Sequence, residues 1–232
     1  LFREAYRRAW SAHDPDQAQR LLDAAGLQRR DADGVRLLPD GRRAEITIES
    51  AGESTEETDV LELVTDHWAK VGLKVHLRTS QRTLFRRRAA AGETLISSFY
   101  GLNNALPSAS TGPHELAPTS GAQLQWPKWG EHHESMAKAG QPIDLPEAAR
   151  QLALYREWLL ADSDGQRAGI WAQMLEHYTD QVFSIGTVNA TRQPVVVSRR
   201  LRNVPDEGLY AWEPTANFGV YRPDTFYFED AR

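Results

Sequence analysis

The feature that most restricts the fold is a regular alternation of helix and strand signals between Asp14 and Tyr100, each ended by its own stop. Asp14 can cap a helix, Pro15 suits its first turn, and Gln17 stands where a capping-box partner belongs. Ala18, Leu21, Leu22 and Ala25 then share one helical face, and Gly26 is placed to end it in a left-handed conformation. Asp33-Gly34 and Asp40-Gly41 mark turns. Asp31, Asp33 and Gly34 have a faint likeness to a calcium loop, but the remaining ligands and the terminal Glu do not follow, so the turn reading stands.

Ala44, Ile46 and Ile48 alternate with Glu45, Thr47 and Glu49, which predicts a half-buried strand. Ser54 with Glu57 forms a capping box, and Val60, Leu61, Val64, Trp68 and Val71 make the apolar stripe of the next helix up to Gly72. Leu73, Val75 and Leu77 alternate as a second strand. Leu84, Phe85 and Ala89 mark a third helix ending near Gly92, and Leu95 to Tyr100 reads as a third strand. The order α, β, α, β, α, β predicts an α/β fold, its helices covering a largely parallel sheet.

From Gly101 to Gln141 the pattern breaks into a stretch rich in Gly, Pro, Ser, Asn and His that holds Trp126 and Trp129. Long loops of this kind inside a compact domain are often functional, or else disordered. Helical signals return from about Pro146 to Ala161 and from about Gly165 to Gln181. Val182 to Val188 and Val195 to Val197 read as strands. The tail from Asn203 is irregular and aromatic, with Tyr210, Trp212, Phe218, Tyr221, Phe226, Tyr227 and Phe228, a composition that predicts packing across another surface.

Composition excludes several functions. The net charge of −5 argues against nucleic-acid binding. The single basic cluster, Arg82, Arg86, Arg87 and Arg88, reads as the solvated face of a helix. With no cysteine there are no disulfides, thiolate metal sites or cysteine nucleophiles. No apolar run reaches the ~18 residues of a membrane span. The chain starts at Leu1 on sequence that reads as mid-protein, so a leader and further upstream sequence are expected.

Catalytic signatures are also missing: there is no Gly-x-Ser-x-Gly, no Gly-x-Gly-x-x-Gly and no phosphate-binding Gly-x-x-x-x-Gly-Lys-Ser/Thr. Glu131-His132-His133-Glu134 is the one metal-like run. Adjacent histidines do not share a helical face, so it reads as a solvated loop. No catalytic residue, metal site or cofactor is expected.

Several ordered segments resemble the family 5 extracellular solute-binding proteins, of the oligopeptide- and dipeptide-binding type. They are Asp14 to Leu27, ending in Leu21-Leu22-Asp23-Ala24-Ala25-Gly26; the turn Asp33-Gly34-Val35-Arg36; Lys70-Val71-Gly72-Leu73-Lys74-Val75; and Arg88-Ala89-Ala90-Ala91-Gly92-Glu93. Ile185-Gly186-Thr187-Val188, Pro194 to Val197, Leu201 to Pro205 and the Trp126/Trp129 pair are similar to a subgroup of large members.

The resemblance implies a periplasmic-binding-protein-like second lobe over residues 1–202, with 203–232 returning to pack on a first lobe encoded upstream. It further implies capture of a small solute, oligopeptide or oligosaccharide, for an ABC permease. The protein would lie in the periplasm or another extracytoplasmic space, free or lipid-anchored, and be a monomer when intact. The implied ligand surface is the end of the third strand and the long loop: Phe99, Tyr100, Asn103, Asn104, Trp126 and Trp129. For Tyr100 and the two tryptophans, core packing fits equally well. Peptide-binding members often carry an acidic residue in this loop for the peptide amine. Here none occurs between Ser98 and Glu115, so a peptide amine would lose its charge partner, and an oligosaccharide or another uncharged polar solute suits at least as well. An α/β interaction or structural domain is the alternative.

Overall fold

A computed structural model of the chain describes residues 8–101, 112–187, 192, 194–208 and 222–229. Their elements run α1 (Pro15–Ala24), β1 (Glu45–Ser50), α2 (Thr55–Lys70), β2 (Lys74–Thr79), α3 (Arg82–Ala91), β3 (Ile96–Ser98), a 3-10 turn (Pro113–Leu116), α4 (Pro127–Glu134), α5 (Pro146–Leu160), α6 (Asp164–Asp180), β4 (Leu201–Arg202), a second 3-10 turn (Pro223–Thr225) and β5 (Tyr227–Phe228). The described residues divide between two compact units, Leu1–Phe99 with Pro113–Phe183, and Tyr100–Gly112 with Ser184–Arg232.

In the larger unit, β1 is the centre of a parallel sheet ordered β2-β1-β3. Glu45–Ser50 pairs in register with Lys74–Thr79, and Ile48–Ser50 with Ile96–Ser98. The helix starts follow the sequence signals: Asp14 Oδ1 accepts from Gln17 N at 2.8 Å, and Ser54 Oγ from Glu57 N at 3.4 Å. One sheet face is covered by α2, through a core of Ile48, Leu61 and Val75 with Val64 and Trp68 against it. Burying side chains of this size contributes about 1.5–3 kcal/mol each.

The turn before β1 is tied to the sheet by a buried cation. Arg36 is 1% exposed; its Nε donates to Val71 O at 2.7 Å, and its Nη1 to Asp23 Oδ1 at 2.5 Å and to Leu27 O at 2.6 Å. One guanidinium thus closes the C-terminal ends of α1 and α2 together. Gly72, at φ +90°, fits there because a Cβ would strike the Arg30 guanidinium and the Arg36 stem. Asp31 Oδ1 accepts from Asp33 N and Val35 N, both at 2.9 Å, which is the turn expected from the sequence.

A second core lies where α5 and α6 pack on the segment 113–126. Leu116, Ala117, Trp126, Ala148, Leu154, Met174 and Tyr178 are buried together, with Trp129, Ile170, Trp171 and Phe183 against them. Gln151, fully buried on α5, donates Nε2 to Met174 O at 2.9 Å.

Three expectations are corrected. The stretch 101–141 is not wholly irregular: Pro127 opens α4, and Pro113–Leu116 forms a turn of 3-10 helix. Gly130 weakens the helical signal of α4, yet its missing Cβ lets the helix lie directly on the Ser120 backbone. The strands expected over Val182–Val188 and Val195–Val197 do not form among the described residues, since β-branched content alone does not make a strand without a pairing partner. Instead, in the smaller unit, Leu201–Arg202 pairs antiparallel with Tyr227–Phe228. Tyr210, Trp212, Phe218 and Tyr221 lie outside the described residues.

Candidate functional site

Parallel sheets present their ligand-binding turns at the carboxyl ends of the strands. In this sheet those ends are Ser50, Thr79 and Ser98, and the turns that follow hold Gly52-Glu53, Ser80-Gln81 and Phe99. Ser50 Oγ and Thr79 Oγ1 lie 3.3 Å apart across the β1–β2 pair.

Directly beneath this edge sits a carboxylate. Glu49 is 2% exposed and points to the face opposite the Ile48 core. Arg88 of α3 grips it with two donors, Nε to Oε2 at 2.9 Å and Nη2 to Oε1 at 3.1 Å, and Arg78 of β2 adds a contact of 3.3 Å. The hydrogen bonds from Arg88, and then the attraction of Arg88 and Arg78, hold the Glu49 carboxyl below its ordinary range against the opposing effect of burial. Arg88 also reaches Glu93 at 2.9 Å. The expectation of a wholly solvated arginine face is therefore corrected for Arg88, whose side chain is 27% exposed and engaged by buried charge.

Phe99 leaves β3 and stacks on the buried Phe85 ring, with centroids 6.0 Å apart and planes 23° from parallel. Its ring also carries two guanidinium groups, Arg86 Cζ at 4.6 Å and Arg82 Cζ at 5.5 Å from the centroid. Arg82 Nη1 contacts both Glu53 oxygens at 3.3 Å. A strand end, an aromatic ring, two cations and one acid are thus assembled by α3 and the βα turns.

The other expected ligand residues belong to different units or lie outside the described residues. Tyr100, in the smaller unit, is 77% exposed. Asn103 and Asn104 lie outside the described residues. Trp126 is 7% exposed, edge-on to Phe183 at 5.1 Å and Tyr178 at 6.2 Å. Of the two readings open for Trp126, its indole occupies the core one. Trp129 is partly buried against the same core. The structure therefore brings Trp126 and Trp129 together and places Phe99 in a cluster with Phe85, Arg82 and Arg86. The sequence placed Arg82 and Arg86 on a solvated helix face and did not foresee their contact with the Phe99 ring. Their spacing of four residues on α3 was the available signal, and the ring that gathers them is distant in sequence.

The Glu131–Glu134 run is helical, not a loop. Glu134 Oε2 accepts from Ser120 Oγ at 3.1 Å and Gly121 N at 2.9 Å, and Lys128 Nζ reaches Glu131 at 3.0 Å. Burial, then the nearby Arg156 charge, holds His133 below its ordinary range. Among the described residues no group of three metal-capable side chains assembles, and no helix is long and apolar enough to cross a membrane.

With that geometry in view, comparison with known proteins defines the class. The model of the bacterial extracellular solute-binding proteins, family 5 (middle), matches residues 2–123, more than half of the chain. The chain belongs to this family. No curated protein sequence matches it significantly.

Among solved structures it is similar to the oligopeptide-binding protein OppA (24% identity, TM-score 0.67, 78% of this chain and 30% of that one). It is similar to the periplasmic binding protein MelB of Agrobacterium fabrum C58, solved with stachyose (21% identity, TM-score 0.62, 75% and 25%). It also matches the oligopeptide-binding protein AppA of Bacillus subtilis, solved with a nonapeptide (11% identity, TM-score 0.58, 94% and 38%). The chain thus spans between a quarter and two-fifths of these proteins' lengths, and at such identities the likeness concerns the fold.

Proposed function

We propose that this chain supplies one lobe of a solute-capture protein for an ABC importer and performs no catalysis. A second lobe, from the remainder of the protein, would close over the solute, and the closed form would present it to a membrane permease. The ligand's preference for the closed arrangement drives such closure. The protein acts outside the cytoplasm, free or lipid-anchored, as a monomer.

The observation that carries this reading is the family match over the segment that builds the parallel sheet and its C-terminal edge. The solute class is an oligopeptide or an oligosaccharide, in keeping with the stachyose and nonapeptide bound by two similar structures. Phe99, Tyr100, Asn103, Asn104 and Trp129 are the proposed contacts on this side of the cleft, while Trp126 packs in the core of its own unit. Residues 203–232 are proposed to pack on the other lobe; the exposed Tyr227 and Phe228 supply apolar surface for that contact.

Calorimetric titration of the full-length protein with a peptide series and a cello-oligosaccharide series tests the proposal. Saturable binding of one series, accompanied by a decrease in radius of gyration in solution scattering, is expected. Failure of both series to bind or compact the protein contradicts it.

A further inference from the structure

The ring at the end of β3 does more than offer an apolar face, because guanidinium groups already stand over it. Arg86 and Arg82 lie 4.6 Å and 5.5 Å from the Phe99 centroid, and the ring itself rests on buried Phe85. Attraction between a guanidinium and a ring face engages no N–H group, so those not already bound to Glu53 remain able to donate to an acceptor. The two arginines are four residues apart on α3, so they project from one side of the helix.

The local charge is not balanced. Arg88 is matched by Glu49 and Glu93, and Arg82 shares Nη1 with Glu53. Among the described residues no carboxylate pairs with Arg86, which is partly buried against the ring. A chain of net charge −5 therefore carries local positive charge in excess of its acids at the carboxyl edge of its sheet. The loop that leaves this edge has no acidic residue before Glu115, so the polarity is opposite to that required by a ligand amine. Attraction to the ring also holds two long side chains near it, which lowers the ordering cost of a later contact.

We infer that Arg82 and Arg86, held on Phe99, recognise a carboxylate of the captured solute. The inference rests on the capture reading and deepens it. A planar guanidinium matches a carboxylate with two parallel hydrogen bonds, a geometry that neutral hydroxyls and amides do not reproduce. Two sources present this group, the C-terminus of a peptide and the acid of a uronate sugar.

The test is calorimetric titration of the full-length protein and of R82Q/R86Q, R86Q and R86K with two matched pairs: trialanine against trialanine amide, and digalacturonate against its neutral dimethyl ester. In the pair that binds, the acid is expected to bind at least about tenfold tighter than its neutral partner. That ratio should fall close to one in R82Q/R86Q, while R86K retains part of it. Thermal melts of the variants establish that they fold, and a merely structural role of the arginines leaves the ratio unchanged. Which pair responds identifies the source of the carboxylate. Equal affinity for acid and neutral partners, or a preference that survives in R82Q/R86Q, overturns the inference and leaves solute capture intact. Failure of the natural protein to bind any of the four probes overturns the carboxylate inference, and solute capture falls with it only if the peptide and cello-oligosaccharide series also fail.

Discussion

Around Ile48 the larger unit closes over a carboxylate, and around Met174 it closes over an amide. Glu49 and Gln151 are comparably deep, at 2% and 0% exposure. Glu49 is ionised and needs two arginines, from α3 and β2, to stay there. Gln151 needs one helical carbonyl and leaves its own Oε1 without a partner among the described residues. The sheet region therefore adds matched charge to its apolar core, and that part of its stability depends on pH. The helical region derives its order from the fit of Trp126, Met174 and Tyr178, and so depends on volume. The charged region is also the one whose edge carries Phe99 with Arg82 and Arg86.

The comparison is strained most by emptying the helical core. Trp126→Ala should cost about 3–5 kcal/mol, read as a fall in the urea midpoint at unchanged slope. A loss below about 1 kcal/mol means that Trp126 is not a core residue. Next in size is Glu49→Gln, which should cost about 2–3 kcal/mol at neutral pH. It removes the acceptor of two arginines, and Arg88 keeps some solvent and Glu93.

The sign of the pH effect follows from the direction of the shift. The folded-state pKa of Glu49 is held below its ordinary 4.5, so its stabilisation is present above that pH and is lost as pH falls below it. The stability difference between the natural protein and Glu49→Gln should shrink as pH drops below about 4.5. Asp40 and Glu45, also held low, are common to both proteins and cancel. A difference that is flat with pH removes the charge from the account.

Matched caps compare the two regions on equal terms. Ser54→Ala on α2 and Ser163→Ala on α6 each lose one cap bond, to Glu57 N at 3.4 Å and Gln166 N at 3.3 Å. Each should cost about 1 kcal/mol in thermal melts. Smallest is Gln151→Met, expected within about 1 kcal/mol of the natural protein, because it removes an unpaired acceptor along with one hydrogen bond. A large loss there, equal to that of Glu49→Gln, erases the distinction between the two cores.

Much of the sheet region is legible in the sequence, since periodicity, caps and glycine stops agree from Asp14 to Gly92. The burial of Glu49 is not. Alternation describes a strand with one wet face, whereas β1 is central and covered on both faces. Arg88 flanks the Phe85 and Ala89 stripe on α3, which is the trace its role leaves in the sequence. The helix α4 is obscured by Gly130, a residue chosen for its close approach to Ser120 and not for helix propensity. At the candidate site, the position of Phe99 after a strand is legible. That two arginines occupy its ring is a tertiary fact that no local pattern encodes.

The most direct test of solute capture is mass spectrometry of small molecules released from the full-length protein after native purification from its own host. The account predicts an oligopeptide or oligosaccharide carried in the cleft, bearing a carboxylate if Arg82 and Arg86 act as inferred. A protein that carries no solute, and gains none from a broad panel of peptides and sugars, contradicts the account.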